Sequence, residues 1–560
     1  MAQKTTDRSI YKTRQITGWW IKNSTAPKIG YEHLKKAISD VNRPIFLVDL
    51  NGELAVGKGG SIALGEETPR QWDPQSTDVY PLSAFAPPLR PQDLGNSDFK
   101  KKYDLRYAYI VGAMANAITS VRMVREVGRA GMIAFFGAGG LNLGDIEAAI
   151  EELQEDMGDQ PYGFNLIHSP GNPELESGTV DLYLKKGIRR ISASAYLDLT
   201  PYIVNYRIHG IHRDEKGEIV CPNDVLAKVS RVEVARKFLS PPPPKILAYL
   251  IDRKRITHEA AELAASVPVA DTLTAEADSG GHTDNRPAIT LLPTMLALRD
   301  ELGTKYDYPH PIFIGLAGGI ATPDSAAAAF AMGADYILTG SINQPCIESG
   351  TSDTVRQMLS EAMQADVTMA PSADMFEMGV KVQVLKRGTM FPLRAKKLYD
   401  LYNRYSDFEA IPDKEKLILE RDIFRCRFED EWSRTRRFFA SCDPKQIPAA
   451  ENDPKHKMAL VFRSYLGRSS GWANQGAPDR KIDYQIWCGP ALGAFNAWAK
   501  NSFLENPENR DTVTIAMNLL YGASILNRVN MLRTQGVKLP PGVERFSALR
   551  LKEINRILDG

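Results

Sequence analysis

From about residue 103 to 390 the chain alternates short apolar runs with stretches that are apolar at helical spacing. The strand-like runs cover 107–115, 131–136, 163–167, 190–193, 224–229, 272–276, 312–316 and 336–339, and helical runs such as 145–157, 257–265, 289–301 and 325–332 lie between them. Strands separated by helices pair in parallel, because parallel neighbours need a crossover connection. Eight such units over roughly 250–290 residues predict a (β/α)8 TIM barrel, and they favour it over an open doubly wound sheet. A segment at about 239–268, opening on Pro241 to Pro244, lengthens the fifth unit and reads as an insertion on the barrel's outside or rim.

The flanks have other textures. In 1–102, Ile45–Leu50, Asn51-Gly52 and the run from Glu53 read as a β-hairpin, since Asn-Gly supplies the two positive φ angles of a type I′ turn. The proline-rich stretch 86–91 reads as a linker or strap. The region 391–560 is helical in texture. One helix is expected over 421–439, where Phe424, Phe428 and Trp432 recur every four residues as a core face, and another over 512–531. Breaks are expected at 448–454 and 469–478. The organisation predicted is thus α/β, with a small β-containing region at 1–102, a barrel at 103–390 and a helical region at 391–560.

Composition narrows the function classes. The 560 residues are 43% hydrophobic, and 69 Lys and Arg balance 68 Asp and Glu for a net charge of +1. This balance argues against a dedicated nucleic-acid partner. Cys221, Cys346, Cys426, Cys442 and Cys488 are scattered without a CxxC pair, so no metal site or redox dithiol is expected and a reducing compartment fits. No run of ~18 apolar residues occurs, and Met1 to Ser9 lack the apolar core of an export signal. A cytoplasmic protein without a membrane partner is the expectation.

Candidate chemistry sits where a barrel would place it, at the C-terminal ends of the strands. Gly318-Gly319 follows the seventh strand run and Thr339-Gly340-Ser341 follows the eighth. Either glycine motif alone is an ordinary turn. Together, in that order, they match the phosphate site that barrels build from the loops after these two strands. Glu276 to His282, ending Gly280-Gly281-His282, follows the sixth strand and brings an imidazole to the mouth, where it can move protons near neutral pH. Phe136 to Gly140 follows the second strand, and a tight βα turn explains it equally well. No GxGxxG with an acidic partner downstream occurs, which disfavours a Rossmann site.

In this order, Gly280-Gly281-His282, Ala317-Gly318-Gly319-Ile320 and Thr339-Gly340-Ser341 resemble the FMN-dependent barrels of nitronate monooxygenases and flavin-type enoyl-acyl-carrier-protein reductases. Glu276 to Pro287, Ser194 to Leu197 and Ile482 to Pro490 narrow the resemblance to PfaD-type enoyl reductases of polyunsaturated fatty acid and polyketide synthases, over nearly the whole chain. The resemblance implies FMN, with its phosphate on Gly318, Gly319, Gly340 and Ser341. It implies that the backbone of Ala113, Met114, Ala115 and Asn116 lies along the ring, with Asn165 and Gly281 near the flavin and His282 as the catalytic residue. Lys228 is a candidate cation for the pyrimidine end of the ring, with a structural lysine as the equal alternative. The implied reaction passes a hydride from NADPH (or NADH) through FMN to the β-carbon of an enoyl thioester on an acyl carrier protein. Self-association is left open. The long N-terminal region and the insertion depart from the smaller barrel reductases, so substrate contacts do not transfer.

Three rivals remain at this stage. One is a nitronate monooxygenase-like oxidase on the same scaffold. Another is a dehydrogenase using Cys346, five residues past Ser341, for which a buried thiol is the plainer account. The third is a carrier-docking protein without catalysis, whose basic residues Arg434, Arg436, Arg437, Lys455 and Lys457 steer an acidic partner.

Overall fold

The computed structural model describes residues 18–65 and 79–559. The stretch Met1 to Ser9, read above for an export signal, lies outside them. The chain divides into two compact units, one of residues 1–94, 323–331 and 516–560, the other of 95–322 and 332–515.

The first unit is built on a six-stranded antiparallel sheet. Its strands are β1 Gly18–Ile21, β2 Lys28–Ile29, β3 Ile45–Leu50, β4 Glu53–Gly57, β5 Ser61–Leu64 and β6 Val79–Ala86, in the order β2-β4-β3-β6-β1-β5. The predicted hairpin is β3–β4, with Leu50 opposite Glu53 and φ of 54° at Asn51 and 88° at Gly52. Trp20, Phe46, Val48, Ala55 and Leu82 pack on one face. The buried guanidinium of Arg528 donates to the carbonyls of Ile38, Asp40, Arg43 and Pro87.

The second unit holds the barrel. Its strands are β7 Tyr109–Val111, β8 Ile133–Phe136, β9 Gly163–Ile167, β10 Arg190–Ser194, then a small hairpin β11 His212–Arg213 and β12 Ile219–Val220, then β13 Asp224–Val229, β14 Thr272–Glu276, β15 Gly281–His282, β16 Phe313–Ala317 and β17 Ile337–Thr339. Eight of them close in the order β10-β13-β14-β16-β17-β7-β8-β9, and every pairing within that ring is parallel. The closed ring displaces the open-sheet alternative. The first barrel strand is shorter than the 107–115 read from the sequence. After Gly112 the chain doubles back, because Thr119 Oγ1 donates to the Gly112 carbonyl and accepts from Met114 N. Residues 239–268 carry the helices Pro244–Asp252 and His258–Ala264.

Beyond the barrel, β18 Val367–Pro371 and β19 Lys381–Leu385 join β15 in a three-stranded antiparallel sheet, in the order β15-β19-β18. Helices then dominate. Two expectations for this region need correcting. The helix read over 421–439 is broken: Arg425 adopts φ 58° and ends a π-helical turn at Leu419–Phe424, and a new helix runs Phe428–Cys442. Phe424, Phe428 and Trp432 still share one core. Neither stretch read as a loop is one in full. Pro448 sits in the first turn of the helix Gln446–Asn452, where no backbone donor is needed. The helix Pro454–Gln475 runs through Ser469 and Gly471, with Ser469 Oγ bonded to the Tyr465 carbonyl. The apolar run from Thr512 is helical, at Thr512–Thr534. Among the described residues, no helix is long and apolar enough to cross a membrane, and no cluster of His, Cys, Asp and Glu is arranged to hold a metal.

Candidate active site at the C-terminal mouth of the barrel

Strand alternation sends every second side chain into the barrel. On β14 these are Thr272, Thr274 and Glu276. Thr272 bonds Tyr103 at 2.8 Å and Thr274 bonds Tyr336 at 2.7 Å, while Glu276, at the mouth end, accepts from Lys228 Nζ at 2.7 Å. Ser279 Oγ adds a second donor to Glu276 at 3.1 Å. Lys228 is therefore held beside a carboxylate. On β9, Asn165 is 5% exposed, and its Oδ1 accepts from Ser194 Oγ at 2.7 Å. That leaves its amide N–H groups toward Gly139, whose added Cβ would stand 3.2 Å from Asn165 Nδ2. The floor of the mouth is thus polar, with fixed donors.

The loop after β7 carries Ala113, Met114, Ala115 and Asn116, all half-buried. Asn116 and Ala117 both have φ of 56°. Their N–H groups donate to the carbonyls of Gly139 at 2.7 Å and Gly137 at 2.9 Å. A Cβ on Gly137 would meet the Met114 carbonyl oxygen at 1.8 Å. The Phe136–Gly140 stretch is glycine-rich for close approach to the first loop, in keeping with its reading as a tight turn.

The seventh and eighth loops differ. Gly318 and Gly319 have φ of 82° and 77°. A Cβ on Gly318 would clash with the Ala277 backbone at 2.5 Å, whereas a Cβ on Gly319 or on Gly340 meets nothing within 4 Å. Ser341 Oγ accepts from Gly489 N at 3.2 Å, which leaves its O–H free to point elsewhere. Two bare backbone segments and a hydroxyl donor beside open space suit an oxyanion group, and in this respect the residues present fit a flavin phosphate. Cys346 is fully buried, its Sγ is 3.8 Å from the Ile342 carbonyl, and burial pushes its thiol well above the ordinary value. It offers no thiolate to a dehydrogenase.

His282 lies on β15, opposite Val382 of β19. Its Nε2 is 3.2 and 3.1 Å from the two Asp374 carboxylate oxygens and 3.3 Å from Ser372 Oγ. The Asp374 side chain is about half exposed; partial desolvation disfavours its charge, but the contacts with His282 and Ser372 outweigh this and leave its carboxyl at about 2.

A strap from the helical region closes one side of the mouth, and no motif of the barrel predicted it. Leu385 N donates to Ile486 O at 2.8 Å and Cys488 N to Gln383 O at 3.3 Å. Gln383 Nε2 in turn holds Asp278 at 2.8 Å and the Ser279 carbonyl at 2.7 Å. A Cβ on Gly280 would stand 2.9 Å from Cys488 N, and one on Gly489 2.8 Å from Gly280 N. From the helix Pro454–Gln475, Ser470 and Asn474 bond Asn116 at 3.2 and 3.4 Å. The only forewarning in the sequence was the distinctive stretch Ile482 to Pro490.

A closed parallel barrel with glycine loops, fixed polar groups and a histidine at its C-terminal rim is a TIM barrel with an enzyme-type mouth. The enoyl reductase domain of MlnA, from the macrolactin biosynthesis cluster of Bacillus amyloliquefaciens, superposes with a TM-score of 0.73 at 39% identity, covering 79% of this chain and 98% of that one. The chain belongs to the PfaD-like enoyl reductase family. It is 42% identical over 520 residues to one of the polyunsaturated fatty acid synthase proteins of Thraustochytrium sp., across 92% of this chain and 34% of that protein. It is 46% identical over 436 residues to the polyketide biosynthesis protein PksE of Bacillus subtilis, across 78% of this chain and 56% of PksE. The chain thus spans only part of the length of these relatives. Residues 405–484 match the inserted helical domain of [acyl-carrier-protein] S-malonyltransferase.

Proposed function

We propose that this chain is a trans-acting, FMN-dependent enoyl reductase. It saturates enoyl thioesters carried on acyl carrier protein domains during polyunsaturated fatty acid or polyketide synthesis, with NADPH as reductant. The observation that carries the reading is the open glycine cradle at Gly319 and Gly340, on the same rim as His282. In the balanced reaction, NADPH, a proton and the enoyl thioester give NADP+ and the saturated thioester. When bound, the flavin relays the two electrons from nicotinamide to the β-carbon.

The chain's own residues supply position and the proton. Backbone N–H groups of Gly318, Gly319 and Gly340 and the Ser341 hydroxyl would hold the phosphate. The backbone from Ala113 to Asn116, with Gly281, would flank the ring, and Asn165 and Lys228, the latter already paired with Glu276, would be the donors for its polar edge. His282 Nδ1 gives the proton to the α-carbon or holds the thioester carbonyl. General acid–base help of this kind is worth ~10²–10⁴-fold, so His282→Ala lowers enoyl reduction by about that factor while flavin stays bound. The test is stopped-flow absorbance: the yellow protein is reduced with NADPH, then mixed with an enoyl thioester, a nitroalkane or oxygen. Fast reoxidation by the thioester alone supports the reading. A colourless protein that takes up no FMN, or reoxidation only by nitroalkane or oxygen, ends it.

Carrier docking is the part with least support from the geometry. Of the basic residues read as a steering face, Arg434 pairs with Glu431 at 3.6 Å, Arg436 with Glu451 at 3.4 Å and Lys457 with Glu429 at 2.9 Å. Lys455 is spent on the carbonyls of Tyr402 and Tyr405. Reversing the charge at Arg436, which is exposed and already paired with Glu451, therefore changes the apparent affinity for a carrier-bound substrate by less than ~3-fold, in line with the small worth of such pairs. A larger, salt-dependent loss would restore that face as the dock.

A further inference from the structure

The geometry points to Asp374 as the positioning residue that fixes the tautomer of His282 and makes Nδ1 its working nitrogen. The inference rests on the enoyl-reductase reading for what the proton does, but its structural half stands apart from that reading.

The placement of hydrogens around Nε2 decides the tautomer. Ser372 is 1% exposed, and its hydroxyl donates to Asp374 Oδ1. Met375 N donates to the same oxygen at 3.1 Å. Asp374, ionised, is an acceptor only, and Ser372 has already used its one hydrogen. Neither neighbour of His282 Nε2 can donate to it. Nε2 must therefore carry the hydrogen and share it between Asp374 and Ser372. The alternative sets a ring lone pair against a carboxylate oxygen at 3.1 Å. No described residue bonds Nδ1, so in the neutral ring Nδ1 holds the lone pair and in the imidazolium it holds the transferable proton. After Nδ1 gives up that proton, Nε2–H stays on Asp374. The ring, one-third exposed, is reprotonated from water.

Other nearby acids are committed elsewhere. Asp278 takes Gln383 and Asn285, both at 2.8 Å, and Asp284 takes Arg231 at 2.8 Å and Ser230 at 2.5 Å. The loop that presents Asp374 is itself held. Arg463 Nε donates to the Ala373 carbonyl at 2.9 Å and Nη1 lies 3.2 Å from Glu377. Asp374 thus belongs to the β18–β19 loop and is steadied by the helix Pro454–Gln475, so part of the histidine's chemistry is set outside the barrel.

The test uses the flavin-loaded full chain with 15N-labelled histidine, the isosteric variant Asp374→Asn, and His282→Gln to assign the signal. Long-range 1H–15N spectra of the wild type show His282 as the Nε2–H tautomer, and Asp374→Asn mixes the tautomers, since an amide both donates and accepts. In transient kinetics, Asp374→Asn slows reoxidation by an enoyl thioester about 10- to 100-fold more than it slows bleaching by NADPH, part of the ~10²–10⁴-fold general acid–base contribution. Ser372→Ala, which keeps the carboxylate, retains the tautomer and loses less. A wild-type Nδ1–H tautomer, or an Asp374→Asn variant with wild-type spectra and an unchanged ratio of the two steps, overturns the proposal. If wild-type protein fails to reduce the thioester at all, the enoyl-reductase reading falls, and the spectra still decide the role of Asp374.

Discussion

The two ends of the barrel are made from the same strands and do opposite things. At the N-terminal end the helix Ser97–Tyr103 plugs the opening. Phe99 and Tyr103 are fully buried there, and Phe99 stacks on Tyr336 with ring centres 4.4 Å apart. Lys102 reaches Asp271 at 2.6 Å and Asp224 at 3.1 Å, and Arg207 reaches Asp271 at 2.8 Å. At the C-terminal end the same inward positions carry Asn165, Ser194, Lys228 and Glu276, and two rim glycines, Gly319 and Gly340, have empty space where a side chain would go. Strand β14 spans the whole gradient: Thr272 closes on Tyr103, Thr274 on Tyr336, and Glu276 holds a lysine at the mouth. Every inward group in this strand has a partner. What changes along it is whether the partner seals the barrel or leaves charge and room for a ligand, and the general division of barrels into a stabilising bottom and a reactive top follows from that.

The largest expected effect comes from breaking the bottom. Asp271→Ala leaves Lys102 and Arg207 with one shared carboxylate, Asp224, and breaking a buried pair in this way costs about 3–5 kcal/mol. Urea unfolding should show the midpoint falling accordingly, while FMN bound per folded molecule is unchanged. A midpoint shift under ~1 kcal/mol, the range of exposed pairs, would mean the base is not a stabilising network. The pH dependence has a definite sign. Burial alone would raise Asp271, but Arg207 and Lys102 outweigh it and hold the carboxyl well below the ordinary range. A depressed folded value means its contribution is complete above the unfolded value of ~3.9 and is lost only as pH falls below that. The native near-UV signal should therefore weaken below about pH 4 in the wild type, and less steeply in Asp271→Asn.

A smaller effect, at the other end, separates folding from binding. Gly340→Ala places a methyl where the structure has nothing within 4 Å. Folding should be unaffected, while FMN affinity falls by roughly 1–3 kcal/mol, the usual cost of overpacking a fitted space. Gly318→Ala differs, because φ of 82° and the clash with the Ala277 backbone disturb the loop itself. That variant should lose stability along with affinity. Fluorescence titration of the apoprotein with FMN, set beside thermal unfolding, reads both. Wild-type affinity in Gly340→Ala would take the phosphate away from this cradle.

The barrel, and the glycine loops that follow β16 and β17, were legible in the sequence for a physical reason. Strand period, crossover helices and glycine turns are local, and a ring of eight follows from counting them. The predicted β3–β4 hairpin was legible in the same way, through Asn51-Gly52. The rest of the mouth was not, because its contacts join distant segments. His282 meets Asp374 across 92 residues, Ser341 meets Gly489 across 148, and Asn116 meets Ser470 across 354. Local signals also misled where tertiary packing overrode them. Ser469 and Gly471 look like a break, yet the helix runs through them: Ser469 Oγ is satisfied by the Tyr465 carbonyl and Ser469 and Ser470 are buried against the core. Arg425 gives no local warning of the αL turn that splits its helix.

The smallest expected effect tests whether the mouth is open all round. Cys488 lies in the strap, fully buried, between Gly280 and the Ser341 loop, and burial, with a lesser push from Asp366, raises its thiol to about 12. Thiolate is the reactive form, so at about pH 8 Cys488 is almost wholly a thiol and has no access to reagent. Cys221 and Cys426 are partly exposed. Intact-mass and peptide analysis after iodoacetamide treatment at about pH 8 should find these two modified well before Cys488, which reacts only on the timescale of unfolding, with or without FMN. Protection of that kind makes the strap at Cys488 a closed wall of the mouth, like the barrel's sealed base. Rapid labelling of Cys488 in folded protein, suppressed by FMN, would instead make the strap a moving wall of the site, and the contrast between the two ends would then be one of motion as well as of composition.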